Sequence, residues 1–380
     1  MKGRGRVYLD FAAATPLSAR AERAYVRALK LYGNPSAPHA EGRAARTAIE
    51  LARIQIARSL TVRAEELIFT SGGTESNNLA ILGTPKGHCI TSALEHSSVR
   101  QAFKIREEHG SRVSVIKSDA FGSIAPEDVV RALRPHTVLV SLHHVQGECG
   151  VVQRIGDIAR AVKKVNPKII VHVDAAQSPL WVEAGPHALH ADLVSYDAQK
   201  VGGPKGVGVL YRNFDVPLRS VYGGGTQERS LRPGTENTPA LVAAGVAFVD
   251  AATGRKVRTQ KVSALRDDFV SAVLERIPGA RLLGSTKRRV ANNAFFVIPD
   301  CDGDYLAVLL DTHGIAVTPR SACLGSGGAL SETAFELTRD ESLARATLRV
   351  TLGPSVTKSD LTRALKVLES VYRLAQRQHA

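Results

Sequence analysis

The chain has 380 residues and sets 50 Lys and Arg against 36 Asp and Glu, a formal net charge of +14. That length exceeds most single cores and predicts one large domain with a smaller one; the charge suits acidic proteins, phosphorylated ligands or nucleic acid and does not choose among them. Only MKGRGR at the start and STKRRV at 285–290 cluster basic residues, so the charge reads as solvated surface rather than a nucleic-acid face. No apolar run approaches the ~20 residues of a membrane span, and the first residues lack the apolar stretch of a secretion signal. The cysteines Cys89, Cys149, Cys301 and Cys323 show neither CxxC nor metal-ligand spacing, which predicts a reducing, cytoplasmic setting and no bound metal.

In chain order, the runs ELIFTS, GHCITSA, RVSVIKS, TVLVSLHHV, KIIVHVDAA, ADLVSYDAQ and GVGVLYR are rich in Val and Ile, and helical patterns such as RAARTAIELARIQIARSL and RIGDIARAVKKVN separate several of them. Strands apolar on both faces and alternating with helices predict a largely parallel sheet covered on both sides. Functional residues are then expected at the carboxyl ends of the strands. The pattern turns helical from about Leu241 to Ile277, with a polar break at ATGRKVRTQK. NNAFFVI, a helix from about Asp304, GIAVTP and a terminal helix from Ser359 follow, which predicts a second, smaller α+β unit.

The first strand runs into FTSGGTESNNLA, where a glycine turn leads to Thr74 and Glu75 at the start of a helix. Free N–H groups there can hold a phosphate, although a capped helix with no ligand fits the segment equally well. The next strand ends in ITSALEHSSV and leaves His96 on a loop or first helical turn; a lone histidine is more often a surface or core residue. His143/His144 and His187/His190 are read as structural. Asp174 ends the strand in VHVDAAQS, where it can face a crevice or simply cap a helix. Lys200 follows the strand of SYDAQK and precedes Gly202, Gly203 and Gly206, which let the chain fold back tightly and hold the lysine in place.

Taken in order, YLDFAAATPL, YGNPSAPHAEGR, FTSGGTESNNLAI, LEHSSV, GVVQ, HVDAAQS, GGPKGVGVLY, GGGTQERSLRPGTENTP, SACLGSG and LRVTLG resemble the class V branch of pyridoxal 5′-phosphate (PLP) enzymes. The likeness runs from Val7 to about the last helix and is specifically to cysteine desulfurases. It implies an α/β fold, the PLP-dependent transferase fold type I, with a mostly parallel seven-stranded sheet in a large domain over 15–255. A smaller α+β domain would comprise 1–14 and 256–380. It further implies a homodimer.

The same resemblance assigns roles. Lys200 would attach the cofactor aldehyde and abstract the substrate Cα proton. Asp174 would pair with the ring nitrogen, His96 would stack on the ring with a part in proton transfer, and Gln177 would bond the ring oxygen. Gly73, Thr74 and Gln199, with Thr235 of the partner subunit, would hold the phosphate. Arg349 and Asn34 would bind the substrate carboxylate. Cys323, on a loop with GSGG at 325–328, would take sulfur from L-cysteine as a persulfide, leave alanine, and pass the sulfur to acceptors in iron–sulfur cluster assembly or tRNA thiolation. The other three cysteines are read as buried and inert.

Three positions depart from the family pattern. Gln199 stands where a histidine is usual, and its neutral amide predicts a weaker hold on phosphate. QGE at 146–148 replaces NNE, so Gly147 has no side chain for the cofactor ring. Asp197 stands where a phosphate-binding serine is usual; because a carboxylate there would repel phosphate, it is expected to turn away toward a basic neighbour. The competing readings are another class V enzyme, either an aminotransferase or a selenocysteine lyase, and a degenerate scaffold that binds partners without chemistry.

Overall fold

The computed structural model describes residues 5–320 and 330–379. After β1 Val7–Tyr8, each of the seven apolar runs becomes a strand: β2 Leu67–Thr70, β3 His88–Ser92, β4 Val113–Ile116, β5 Thr137–His143, β6 Ile170–Asp174, β7 Leu193–Asp197 and β8 Gly208–Arg212. Then come β9 Arg281–Leu282, β10 Asn293–Val297, β11 Ile315–Ala316 and β12 Thr347–Thr351. Seven of these form one sheet in the order β2-β8-β7-β6-β5-β3-β4. Only β8 runs antiparallel to its neighbours, β2 and β7; the other pairings are parallel. The strands β2, β3, β5, β6 and β7 therefore all end at the same edge.

Side chains alternate between the two faces of a strand, and here the alternation sorts two cores. Ile68, Cys89, Leu139, Ile170, Leu193 and Leu210 pack on one side with Leu79, Ile81, Val99 and Phe103 from the helices Gly73–Leu82 and Ser97–Glu108. Their neighbours Phe69, Ile90, Val140, Val171, Val194 and Val209 face the opposite core, which also takes Ile49, Ile56 and Phe248 from the helices Ala40–Leu60 and Thr238–Thr253. Continuous hydrophobic strands are what such double burial requires.

Gly254 breaks the long helical stretch into Thr238–Thr253 and Arg255–Arg276. Beyond it, β12, β10 and β9 form an antiparallel sheet, and β1 crosses over to pair with β11. A bridge between Asp10 and Thr351 ties the start of the chain to β12. This connection brings β12 and the segment after β1 toward the working edge of the large sheet.

β2 is an edge strand, and its exposed N–H groups need a partner. Glu228 supplies one: its carboxylate accepts from Phe69 N–H at 2.7 Å and from both terminal nitrogens of Arg53, at 2.6 and 2.8 Å. Glu228, Arg229 and Ser230 all have positive φ, a costly backbone for non-glycine residues that this buried ion pair helps to hold.

Candidate active site

A cavity of about 210 Å³ opens at the shared carboxyl edge, and Lys200, Asp174, His96, Thr74, Gln177 and Arg349 all line it. The lysine arrives there because β7 ends in a tight turn, Ala198–Lys200. Two glycines then reverse the chain. Gly202 has φ +81°, and a Cβ on Gly203 would lie 2.8 Å from the Ala198 carbonyl oxygen. Lys200 Nζ donates to the carbonyls of Ala12 and Ala13 at 2.7 and 2.6 Å. Thr15 reinforces this contact, donating to Gln199 O and accepting from Gly202 N–H, so YLDFAAATPL frames the lysine turn.

Asp174 closes β6 and is 8% exposed. Its Oδ1 accepts from Ala176 N–H at 3.0 Å, which makes a turn rather than a helix cap, and its Oδ2 accepts from Asn77 Nδ2 at 2.8 Å. The same Asn77 nitrogen donates to Ser98 Oγ at 2.9 Å. Ser98 Oγ lies 2.8 Å from His96 Nδ1, which also accepts from Ser98 N–H. A continuous hydrogen-bond chain thus runs from the Asp174 carboxylate through Asn77 and Ser98 to His96, the N-cap of Ser97–Glu108. With donors on Nδ1, the neutral imidazole carries its proton on Nε2.

Arg349, on β12, is 3% exposed. One terminal nitrogen donates to Gly147 O at 3.0 Å and the other to Asp10 Oδ1 at 2.9 Å. Its Nε, like Asn77 Oδ1, is buried with no partner among the described residues. Gln177 lies beside the lysine turn and donates to Ala12 O at 2.9 Å.

Other expected site residues lie elsewhere. Asn34 is exposed and outside the cavity; its Oδ1 accepts from Ser36 N–H at 2.9 Å, as an asparagine in a loop turn does. Thr235 is likewise exposed and away from its own chain's cavity. Cys323 lies outside the described residues.

The expectation for Asp197 requires correction. The residue does not turn away: it is 8% exposed, lines the cavity, and its Oδ2 accepts from Gly73 N–H at 3.2 Å and Gln199 Nε2 at 3.1 Å. The local reason is the turn after β7. Asp197 caps it by accepting from Gln199 N–H through Oδ1 at 3.1 Å, which leaves Oδ2 facing the first residue of the helix Gly73–Leu82.

Sequence reasoning also missed Glu95 and His143, which line the cavity. Glu95 Oε1 accepts from the Ser92 hydroxyl, the His143 backbone N–H and, at 2.9 Å, His143 Nδ1. The Gln153 amide nitrogen contacts His143 Nε2 at 3.1 Å while donating to Gly122 O. His143 Nε2 is therefore the acceptor, and Nδ1–H donates to the carboxylate. The sequence signal was a polar pair closing an otherwise apolar strand beside LEHSSV. Its neighbour His144 titrates at about 4, pushed down first by burial and then by His143.

Cys89, Cys149 and Cys301 are buried free thiols whose pKa burial raises to about 11, too high for a ready nucleophile. Among the described residues no group of three or more His, Cys, Asp or Glu is placed to hold a metal ion, and no helix is long and apolar enough to cross a membrane.

The mostly parallel seven-stranded sheet with its helices is that of the PLP-dependent transferase fold type I. A solved NifS-like protein superposes with a TM-score of 0.91 at 30% identity, covering 97% of this chain and 100% of the other. A structure described as SspA in complex with cysteine gives 0.80 at 31% identity, covering 92% and 100%. Residues 7–364 match the family described as Aminotransferase class-V. Cysteine desulfurase IscS of Dictyoglomus turgidum is 37% identical over 372 residues, covering 96% of this chain and 94% of that protein. IscS of Psychromonas ingrahamii is 35% identical, with coverage of 95% and 92%. The chain belongs to the class V aminotransferase family, among its cysteine desulfurases.

Proposed function

We propose that the chain converts L-cysteine to alanine and retains the sulfur as a persulfide on Cys323 for transfer to an acceptor protein, using PLP. The observation that carries this reading is the convergence of Lys200, Asp174, His96 and Arg349 on one cavity at one sheet edge. The donor set suits the cofactor. It offers an amine, a buried carboxylate already oriented by Asn77, an imidazole, and unsatisfied polar atoms on Asn77 and Arg349. Asp197 is at odds with it.

When bound, PLP supplies a protonated ring that withdraws electrons from the substrate Cα. Lys200 would hold the aldehyde carbon covalently and, once displaced by substrate, move the Cα proton. Asp174 would keep the ring nitrogen protonated, with Asn77 fixing the carboxylate's direction. His96 would cover the ring and Gln177 meet its oxygen. Gly73, Thr74 and Gln199, with Thr235 of the partner subunit, would hold the phosphate. Arg349 would orient the substrate carboxylate, its fork already fixed by Gly147 and Asp10. In the overall exchange an S–S bond forms at Cys323, the Cβ–S bond of cysteine breaks, and a proton is taken up at Cβ to give alanine.

Acceptors in iron–sulfur cluster assembly are consistent with the relatives' IscS names, and acceptors in tRNA thiolation are the alternative. The pairing of β1 with β11 favours a small domain made of 1–14 and 256–380 beside a large one at 15–255. A homodimer follows from the role given to Thr235, and the buried free thiols fit a reducing cytoplasm.

The test is alanine and sulfide release from L-cysteine by purified protein under reducing conditions. Wild type should yield both. Cys323→Ser should retain bound cofactor but form no persulfide. Undiminished alanine formation by that variant would point to a lyase or aminotransferase, and a colourless, inactive wild type would point to a degenerate scaffold.

A further inference from the structure

Asp197 places a carboxylate at the amino end of the helix Gly73–Leu82, where the proposed cofactor phosphate would be held. Its Oδ2 takes the Gly73 N–H and the Gln199 side-chain N–H, two donors that the phosphate would otherwise use. The helix N-terminus and its free N–H groups attract one anion, and here an internal anion already holds that position. The hydrogen-bond donors on Asp197 are the neutral N–H groups of Gly73 and Gln199. No guanidinium or ammonium hydrogen-bonds to it or pairs with it among the described residues. A phosphate entering this end of the cavity must share or displace those donors and must also approach a buried like charge.

We propose that Asp197 is a charge-selecting residue of the phosphate subsite. It competes with the phosphate for Gly73 and Gln199 and so weakens the site's preference for a phosphorylated cofactor over its dephosphorylated counterpart. This rests on the PLP reading of the cavity. It assigns to one side chain the balance between tight retention of the cofactor and exchange of it. Gln199 takes part because the amide that could reach phosphate is occupied by the carboxylate.

The test is a titration of apo wild type, Asp197→Ser and Asp197→Asn with pyridoxal 5′-phosphate and, separately, with pyridoxal, following visible absorption and checking free ligand by equilibrium dialysis. Thermal melts confirm that both variants are folded; Asp197→Asn preserves the side chain's shape if the serine variant is not. The expected result is a rise of about tenfold or more in the preference for the phosphorylated form in either variant, with pyridoxal affinity changed little. An unchanged preference in folded variants, or weaker PLP binding, overturns the role given to Asp197 while leaving the cofactor reading intact. Failure of wild type and both variants to bind either aldehyde overturns the cofactor reading itself, and this inference with it.

Discussion

Asp174 and Asp197 end neighbouring strands of one sheet, are equally buried at 8% exposure, and line the same cavity. They differ in what surrounds them. Both accept a backbone N–H of their own turn, but Asp174 is further fixed by the side chain of Asn77, and a hydrogen-bond chain through Ser98 ties it to His96. Asp197 is further fixed by the Gln199 side chain and by the first N–H of a helix. In the proposed function one carboxylate would pair with a cation, whereas the other sits at a helix N-terminus, which attracts an anion. Burial and residue type are the same, so the partners decide which charge each end of the cavity receives.

Lys200 lines the same cavity, and removing its amine should produce the largest effect. Lys200→Ala should lower alanine formation by roughly a thousandfold or more while the protein still melts cooperatively. Retention of more than a few per cent of the rate would break the comparison at its centre. Asp174→Asn should come next. It keeps the shape but removes the charge that, in the proposed function, would hold the ring nitrogen protonated, and kcat should fall by about a hundredfold. If Asp174→Asn leaves kcat unchanged, Asp174 is merely a turn-forming residue.

Arg349→Lys should chiefly raise the KM for L-cysteine, by about tenfold, because an ammonium cannot reproduce the planar fork. A change confined to kcat would move Arg349 out of substrate binding.

The smallest effect concerns stability rather than turnover. His172, on β6 with Asp174, titrates at about 3 because of burial, and His144, just past β5, at about 4. Both folded-state values lie below the ordinary 6.5, so the unfolded chain binds more protons between them. Stability should therefore be full above about pH 6.5 and decline as pH falls toward 4 and then 3. Thermal melts across that range should show the decline, and His172→Gln should make it shallower. An unaltered slope in that variant would show that His172 contributes nothing to the acid limb.

Much of this was legible in the sequence, because apolar runs bounded by turns mark strand ends locally. Lys200, Asp174 and His96 are read at those ends, and Gly254 falls inside the polar break expected within the long helical stretch, although the rest of that break, from Arg255 onward, is helical. The pointing of side chains was not legible, because distant contacts decide it. Asn77, which orients Asp174, lies 97 positions earlier, and Gly73, which receives Asp197, lies 124 positions away. The expectation that like charges avoid one another sent Asp197 outward; the short turn after β7 left it no such freedom. The pairing of Glu95 with His143 spans 48 positions and escaped notice because paired histidines outside any metal spacing look like filler.

The most direct measurement is borohydride reduction of the PLP-loaded protein followed by peptide mass spectrometry. A phosphopyridoxyl group should appear on the peptide bearing Lys200 and be absent after Lys200→Ala. Label on a different lysine, or none at all, would contradict the assignment of this cavity as the reaction centre.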